Sequence, residues 1–165
     1  MDRPLESPNR RRKVLFLCTG NSARSILGEY LLRDRARGRF EVHSAGSDFA
    51  GEVHPLARRV LEVDYGIDTS TARSEPVDEV RGIAFDLVIT VCDSAREACP
   101  AWLGGGIQVH WGLEDPAAFE GSEEERLEVF RRTAELLEER IERLLDLPPE
   151  SWDQSALEEI HRASR

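Results

Sequence analysis

At residues 14–25 the chain reads Val14-Leu15-Phe16-Leu17-Cys18-Thr19-Gly20-Asn21-Ser22-Ala23-Arg24-Ser25. The first four residues form a short, continuously apolar run, which is typical of a buried parallel strand, and a glycine-containing turn follows it. A loop that joins a strand end to a helix start points successive backbone N–H groups into one concavity, where the helix dipole also favours negative charge. The stretch therefore predicts an α/β fold with an anion-binding loop behind its first strand.

This loop also carries a thiol and a guanidinium, because Cys18 opens it and Arg24 stands six positions later. The field of the loop favours the thiolate, the form of cysteine that attacks, and arginine offers planar bidentate donors to an oxyanion. The alternative is a structural cysteine buried behind a core strand; the accompanying Gly20, Asn21 and Arg24 favour an active site. The predicted oxyanion-binding residues are Thr19, Gly20, Asn21, Ser22, Ala23, Arg24 and Ser25.

Composition narrows the class of protein. A chain of 165 residues with 40% hydrophobic and 33% charged residues is typical of one globular domain. Its net charge of −10 argues against nucleic acid as a partner, and no apolar run approaches membrane-spanning length. The N-terminus is polar and unlike a secretory signal, so we expect a cytoplasmic protein with neither nucleic acid nor membrane as partner.

The chain divides into three expected segments. Residues 1–12 are predicted to be a flexible N-terminal extension, residues 13–147 a single domain, and residues 148–165 a C-terminal extension. One short helix around Ala156–Ile160 is expected in the last segment, docked loosely at best.

Apolar runs alternate with helical patterns along the domain. Strands are predicted at Lys13–Leu17, Phe40–Ser44, Phe85–Val91 and Ile107–His110. Helices are predicted at Ser25–Arg37, Pro55–Tyr65, Pro76–Val80 and Ser122–Asp146, the last opening with a capping box. This alternation predicts a four-stranded parallel sheet with helices on both faces and a ligand site at the carboxyl ends of the strands.

Two further cysteines, Cys92 and Cys99, follow the third predicted strand. Their spacing does not resemble a structural zinc site, which favours closer cysteines and a second ligand pair. A helix across seven residues spans about 10.5 Å, whereas a disulfide tolerates a Cα separation of up to about 6.8 Å. A bond between these cysteines therefore requires local unwinding; the alternative is that both pack as small hydrophobic residues.

Asp115 and Pro116 follow the fourth predicted strand. Because proline restricts the local backbone, Asp115 is positioned to present its carboxyl at the same edge of the sheet as Cys18 and to act as a general acid. The alternative is an ordinary Asp-Pro turn.

These motifs resemble those of thioredoxin-coupled arsenate reductases built on the low-molecular-weight tyrosine phosphatase fold. The resemblance runs from Val14 to about Phe119 and rests on Cys18–Ser25, His43–Gly46, Gly66–Asp68, Val88–Cys92 with Cys99-Pro100, and His110–Ala117. It implies that Cys18 is the nucleophile, Arg24 binds the oxyanion, Asp115 is the acid, and Cys92 and Cys99 form a redox relay.

The resemblance implies arsenate as substrate, phosphate or sulfate as competing anions, thioredoxin as reductant and no tightly bound cofactor. Electron counting agrees, because reduction of arsenate to arsenite takes the two electrons that two thiols release on forming a disulfide. In this relay a Cys18–Cys92 disulfide forms first and a Cys92–Cys99 disulfide replaces it. The resemblance also implies a potassium site at Asn21, Glu29, Ser44 and Glu75, although relatives often carry aspartate at the last position.

Other functions remain open at this point. A low-molecular-weight protein-tyrosine phosphatase needs only Cys18, Arg24 and Asp115, but Ala117-Ala118 are poor substitutes for the aromatic residues that usually follow Asp-Pro there. Weak activity on small phosphate esters is expected. The remaining alternatives are a non-enzymatic oxyanion or redox sensor and a reductase supplied by mycothiol or glutathione.

Overall fold

The computed structural model of this chain describes residues 10–93 and 101–164. The strands are β1 (Arg12–Cys18), β2 (Phe40–Gly46), β3 (Leu87–Thr90) and β4 (Ile107–His110). The α-helices are α1 (Arg24–Ala36), α2 (Pro55–Arg59), α3 (Glu123–Leu145) and α4 (Gln154–Ala163). A π-helical turn at Val60–Asp64 continues α2, and 3-10 turns lie at Val77–Glu79, Pro116–Ala118 and Pro149–Ser151.

The strands form one parallel sheet in the order β2-β1-β3-β4. This confirms the predicted α/β class and the four-stranded parallel sheet. Leu17 of β1 pairs with Ala45 of β2 and Thr90 of β3, so Cys18 lies at the edge where all three strands end. The register thus places the carboxyl ends of the strands around the loop that follows β1.

The side chains of β1 alternate between two hydrophobic cores. Val14 and Phe16 belong to the core that also receives the buried faces of α1 to α4. Leu15 and Leu17 point to the opposite face, which packs against Val80, Phe85 and Trp102. In the described part of the chain, the helical element on that second face is the 3-10 turn Val77–Glu79, which lies within the helix predicted at Pro76–Val80.

Helix α1 lies very close to β1, and Gly28 makes this approach sterically feasible. A Cβ atom at Gly28 would lie 2.6 Å from the ring of Phe16. The helix ends at Arg37 and Gly38, which both adopt positive φ angles (50° and 84°). The observed bounds of α1, Arg24–Ala36, differ from the predicted ones by one residue at each end. Its first turn directly follows the loop that begins at Cys18.

Helix α3 begins at the predicted capping box. The Ser122 hydroxyl accepts from the Glu125 amide, and the Glu125 carboxylate accepts from the Ser122 amide. Phe130, Leu137, Ile141 and Leu144 are fully buried along one face of the helix. Among the described residues, every helix is too short or too polar to cross a lipid bilayer.

The C-terminal segment is firmly packed, so the expectation of loose docking was wrong. Leu157 and Ile160 of α4 are 0% and 5% exposed and join the main core. The Trp111 indole donates to the Leu157 carbonyl at 3.1 Å. The helix is longer than predicted, and its apolar face packs against the sheet beside β4. Local sequence patterns do not reveal that this part of the sheet is available for packing.

At the other end of the chain, Arg10 and Arg12 already take part in the folded domain, although both precede the predicted boundary at residue 13. The Arg10 guanidinium forms a two-pronged pair with Asp86, and the Lys13 amide donates to the same carboxylate. Arg12 is already part of β1, whereas residues 1–9 of the predicted extension lie outside the described residues.

Candidate active site

The loop after β1 encloses a small cavity of about 180 Å³. Its lining consists of Cys18, Thr19, Gly20, Asn21, Ser22, Ala23, Arg24 and Asp115. The structure therefore brings Asp115 to the loop across almost a hundred residues of sequence, as the Asp-Pro motif predicted. Ser25, also predicted to bind the anion, lies instead behind the nucleophile.

The loop turns its carbonyl groups away from the cavity. Four of them accept hydrogen bonds from the following chain: Cys18 from the amide of Ser47 (3.1 Å), Thr19 from Asp48 (2.9 Å), Gly20 from Ala50 (2.7 Å) and Ser22 from His54 (2.9 Å). In a trans peptide the C=O and the next N–H point in opposite directions, so these bonds direct the intervening N–H groups inward. The loop is thus built to present amide donors to an anion.

Cys18 lies at the base of this cavity and is 2% exposed. Its sulfur accepts a hydrogen bond from the Asn21 amide at 3.1 Å, and the Ser25 hydroxyl lies 2.9 Å away. Donors around a sulfur favour its negatively charged form. The geometry therefore suits a nucleophile better than a structural cysteine in an apolar core.

Asn21 braces the loop from within. Its φ angle of 48° lies in the left-handed region, which asparagine tolerates better than most residues. The side-chain amide donates to Ser25 (2.8 Å) and Ser44 (2.9 Å), and its oxygen accepts from the Glu75 amide at 2.6 Å. Because all three bonds come from one side chain, Asn21 joins the loop to both α1 and β2.

Gly46 is a residue that sequence reasoning missed as part of the site. A Cβ atom at this position would lie 2.5 Å from the Thr19 carbonyl oxygen and 2.9 Å from the Asn21 nitrogen. Only glycine permits so close a contact between the end of β2 and the loop. Its place in the His43–Gly46 motif was the available signal, but the contact itself follows from the parallel register.

Arg24 is the first residue of α1 and is only 4% exposed. Its guanidinium donates to the Leu113 carbonyl at 3.0 Å and lies 3.9 Å from the Asp115 carboxylate. The side chain is thus held between the loop that carries Cys18 and the segment that carries Asp115. This position suits the predicted recognition of an oxyanion.

An Arg24→Lys variant should lower kcat/KM about 10²- to 10³-fold, because lysine keeps the charge but loses the planar pair of donors. Steady-state kinetics with the oxyanion substrate measure this effect. Arg143→Lys, at an exposed position of α3, serves as a control without expected effect. Equal activity of the Arg24→Lys protein and the wild type would contradict the assignment.

Asp115 both caps a turn and lines the cavity, and its role as a general acid remains a prediction. One carboxylate oxygen accepts from the Ala117 amide at 3.0 Å and caps the 3-10 turn Pro116–Ala118, as an ordinary turn requires. The side chain nevertheless remains 40% exposed and faces Arg24. It is therefore accessible to a bound molecule, as the predicted role requires.

Cys92 follows β3 at the same edge of the sheet and is fully buried. The residue before it, Val91, is bonded on both sides of its backbone: its amide donates to the Leu17 carbonyl at 3.0 Å, and its carbonyl accepts from the Leu113 amide at 3.2 Å. The next residue, Asp93, lines a larger cavity of about 730 Å³ that shares Asp115 with the small one. Cys99, the other predicted relay residue, lies outside the described residues, as does the rest of 94–100.

The residues of the predicted potassium site also lie together, but their carboxylates already form ion pairs with arginines. The Glu29 carboxylate accepts from the Ser44 hydroxyl and from the Arg33 guanidinium, which also donates to the Val42 carbonyl. Burial raises the pKa of Glu29, and the contacts with Arg33 and Ser44 partly oppose that increase. Because a guanidinium already supplies positive charge here, this arrangement does not fit potassium as an additional cation.

The fourth residue of that set, Glu75, contributes in a different way. Its backbone amide donates to Asn21, while its carboxylate pairs with Arg73 at 2.7 Å. Both carboxylates of the set are thus paired with arginine. The predicted potassium site remains a prediction.

The sequence of this chain was compared with those of known protein families. A family model described as low molecular weight phosphotyrosine protein phosphatase matches residues 13–159. The chain belongs to this family. The match covers the loop, Arg24, Cys92 and Asp115 together.

Several proteins with sequences similar to this chain are arsenate reductases. That of Halalkalibacterium halodurans is 38% identical over 131 residues, covering 79% of this chain and 93% of the relative. The glutaredoxin arsenate reductase of Synechocystis sp. is 34% identical over 134 residues, covering 81% and 96%.

Solved structures of arsenate reductases are also similar to this chain. The arsenate reductase from Archaeoglobus fulgidus superimposes with a TM-score of 0.68 at 30% identity, covering 81% of this chain and 99% of that one. The thioredoxin-dependent arsenate reductase of Corynebacterium glutamicum gives a TM-score of 0.58 at 30% identity, covering 86% and 66%.

Proposed function

We propose that this member of the phosphatase family reduces arsenate to arsenite. The observation that carries the proposal is the placement of Cys18 in an amide-lined cavity with Arg24 and Asp115, while a second cysteine, Cys92, follows the neighbouring strand β3. The first three residues suit attack on a tetrahedral oxyanion. The additional cysteine supplies what a hydrolase does not need, a second thiol for a redox reaction.

In the first proposed step, the Cys18 thiolate attacks the arsenic atom of arsenate. A sulfur–arsenic bond forms, and an arsenic–oxygen bond breaks as Asp115 donates a proton to the departing oxygen, which leaves as water. Arg24 and the inward N–H groups stabilise the negative charge on the remaining oxygens. Arsenic is still pentavalent at the end of this step.

In the second proposed step, the Cys92 thiolate attacks the sulfur of Cys18. A Cys18–Cys92 disulfide forms, and the electron pair of the sulfur–arsenic bond leaves with arsenic, which is released as trivalent arsenite. Cys99 then attacks Cys92 and regenerates the Cys18 thiolate. The two electrons lost by the thiols equal the two gained by arsenic.

An external dithiol protein completes the proposed cycle by reducing the Cys92–Cys99 disulfide. Thioredoxin is our proposal for this partner, and the name of the Corynebacterium glutamicum neighbour supports it. The name of the Synechocystis relative makes glutaredoxin the competing candidate. Because every cycle begins with free thiols, we propose that the protein works in a reducing compartment, the cytoplasm.

The experiment that tests this function follows arsenate-dependent NADPH oxidation in two parallel assays. One contains thioredoxin and thioredoxin reductase, and the other contains glutaredoxin, glutathione and glutathione reductase. We expect turnover in the first assay, with phosphate and sulfate acting as competing anions. Turnover only in the second would replace the proposed reductant, and none in either would refute arsenate reduction.

A phosphatase activity is the second candidate, because the family model and the cavity both fit it. Cleavage of a phosphate ester needs Cys18, Arg24 and Asp115 but no relay. We propose it as a weak side activity, since the residues after Asp115 are small. Hydrolysis of an aryl phosphate that survives Cys92→Ser would show that this reaction proceeds without the relay.

We expect potassium to have little effect on this protein, because Arg33 already neutralises Glu29. The wild type should melt at the same temperature, within about 1 °C, in KCl and NaCl of equal ionic strength. An Arg33→Gln variant removes the guanidinium and should melt at a higher temperature in KCl than in NaCl. Thermal unfolding measures both, and a wild type stabilised selectively by KCl would contradict the expectation.

A further inference from the structure

The segment 110–113, which leads from β4 toward Asp115, is held by side chains along its whole length. Four successive carbonyls accept: His110 from His161 (3.0 Å), Trp111 from Arg140 (2.9 Å), Gly112 from Arg140 (3.3 Å) and Leu113 from Arg24 (3.0 Å). Only Arg24 among these donors belongs to the anion-binding loop. The others come from α3 and α4, the elements farthest along the chain.

Arg140 is the central donor of this arrangement. It is 3% exposed, and its described contacts are neutral oxygens: those of Trp111 and Gly112, and the Ser164 hydroxyl at 2.8 Å. Burial lowers the pKa of Arg140 to about 10, although Glu139 partly opposes this effect. Placing a guanidinium in such surroundings is costly, so a hydrophobic residue would serve packing alone at least as well.

The carboxylate of Asp115 depends on the main chain that leads to it. Its side chain is tied locally by the Ala117 amide and lies beside Arg24, but it is otherwise open to solvent. A shift of the 110–113 segment would therefore move Asp115 relative to Cys18. Displacement of a catalytic group by about 1 Å is enough to lower a rate about 10²-fold.

We propose that Arg140 is a positioning residue for Asp115. Ser164 orients its guanidinium, and the guanidinium fixes the carbonyls of Trp111 and Gly112, so that Asp115 is held over the cavity. His161 and Ser164 lie beyond residue 159, where the match to the family model ends. The C-terminal segment of this chain is thus part of the support of its active site. The inference rests on the proposed role of Asp115 as the acid in arsenate reduction.

A double-mutant cycle tests this proposal. Arg140→Lys keeps the charge but cannot reach three oxygens in one plane, and it should lower kcat for arsenate reduction about 10- to 100-fold. KM should change less than about threefold, because the loop and Arg24 are intact. In an Asp115→Asn background the same substitution should change kcat less than about twofold, since no acid remains to be positioned.

Equal losses in the two backgrounds would overturn the proposal, because they indicate a general structural effect. Arg143→Lys, an exposed position on the same helix, is the matched control and should have no effect. Should Arg140→Lys fail to fold, Ser164→Ala takes its place in the cycle. It removes one hydrogen bond at the end of α4 and should lower kcat about two- to fivefold, again only when Asp115 is present.

Hydrogen exchange separates failure of this inference from failure of the proposed function. Exchange of the backbone amides in 111–119 should accelerate in the Arg140→Lys or Ser164→Ala protein, while exchange in β1 stays as in the wild type. Absence of arsenate reduction in the wild type would refute the function without altering this expectation. Unchanged exchange in 111–119 would refute the anchoring by Arg140, whatever the activity.

Discussion

A Cys18→Ser variant is expected to lose arsenate reduction almost completely, with kcat falling about 10⁴-fold or more. Serine is close to cysteine in size and can keep its hydrogen bonds, but at neutral pH a hydroxyl is a far weaker nucleophile than a cysteine thiolate. Loss of a nucleophile is among the largest single effects known in enzymes. The coupled assay with thioredoxin measures the change.

The matched control for this variant is its affinity for phosphate, measured by calorimetry. Because the inward N–H groups and Arg24 remain, phosphate should bind the Cys18→Ser protein within about threefold of the wild type. A variant that neither binds phosphate nor unfolds at the wild-type temperature would indicate a damaged loop. Substantial arsenate reduction by a properly folded Cys18→Ser protein would refute the role of Cys18.

The relay cysteines should produce equally clear losses, but at different steps of the cycle. After full reduction and removal of the reductant, the wild type should release about one arsenite per molecule and lose two of its three thiols. A Cys92→Ser variant should release almost none, because no thiol attacks Cys18 to free the bound arsenic. Rapid-quench detection of arsenite, together with thiol titration, distinguishes these outcomes.

A Cys99→Ser variant should still release about one arsenite in that single turnover, because Cys18 and Cys92 suffice for the first disulfide. Its steady-state rate with thioredoxin should fall about 10²-fold or more, because Cys18 and Cys92 remain bonded in buried positions. Retention of the full steady-state rate would show that Cys99 is not the carrier. An unimpaired first turnover in Cys92→Ser would overturn the relay itself.

The sequence predicted those elements whose signals are local. The apolar run before Cys18 indicated β1, and the Ser122–Glu125 capping box located the start of α3. The third strand was predicted too long, because Phe85–Val91 is mostly apolar but pairs in the sheet only at Leu87–Thr90. Hydrophobicity reports burial, and Phe85 is buried in the second core without belonging to the strand.

Prediction failed where distant segments meet. Nothing in the residues around Gly46 indicates that a Cβ atom would collide with the Thr19 carbonyl, since that contact depends on the pairing of β1 with β2. The firm docking of α4 depends likewise on the space beside β4. Arg33 shows both cases in one side chain. Its ion pair with Glu29 is predictable from helical spacing, whereas its hydrogen bond to the Val42 carbonyl depends on how α1 packs beside β2.

The sequence by itself determined that a cysteine and an arginine share one anion-binding loop. A buried strand that ends at Cys18 and a helix that starts at Arg24 leave the amides between them directed toward the same cavity. Only the tertiary structure decided how Asp115 is held. Its position depends on Arg140 and Ser164, which are close to one another and to residues 111–112 only after α3 and α4 have packed on the sheet. Local preferences act over a few residues, whereas the placement of a catalytic acid at this site requires contacts across the whole domain.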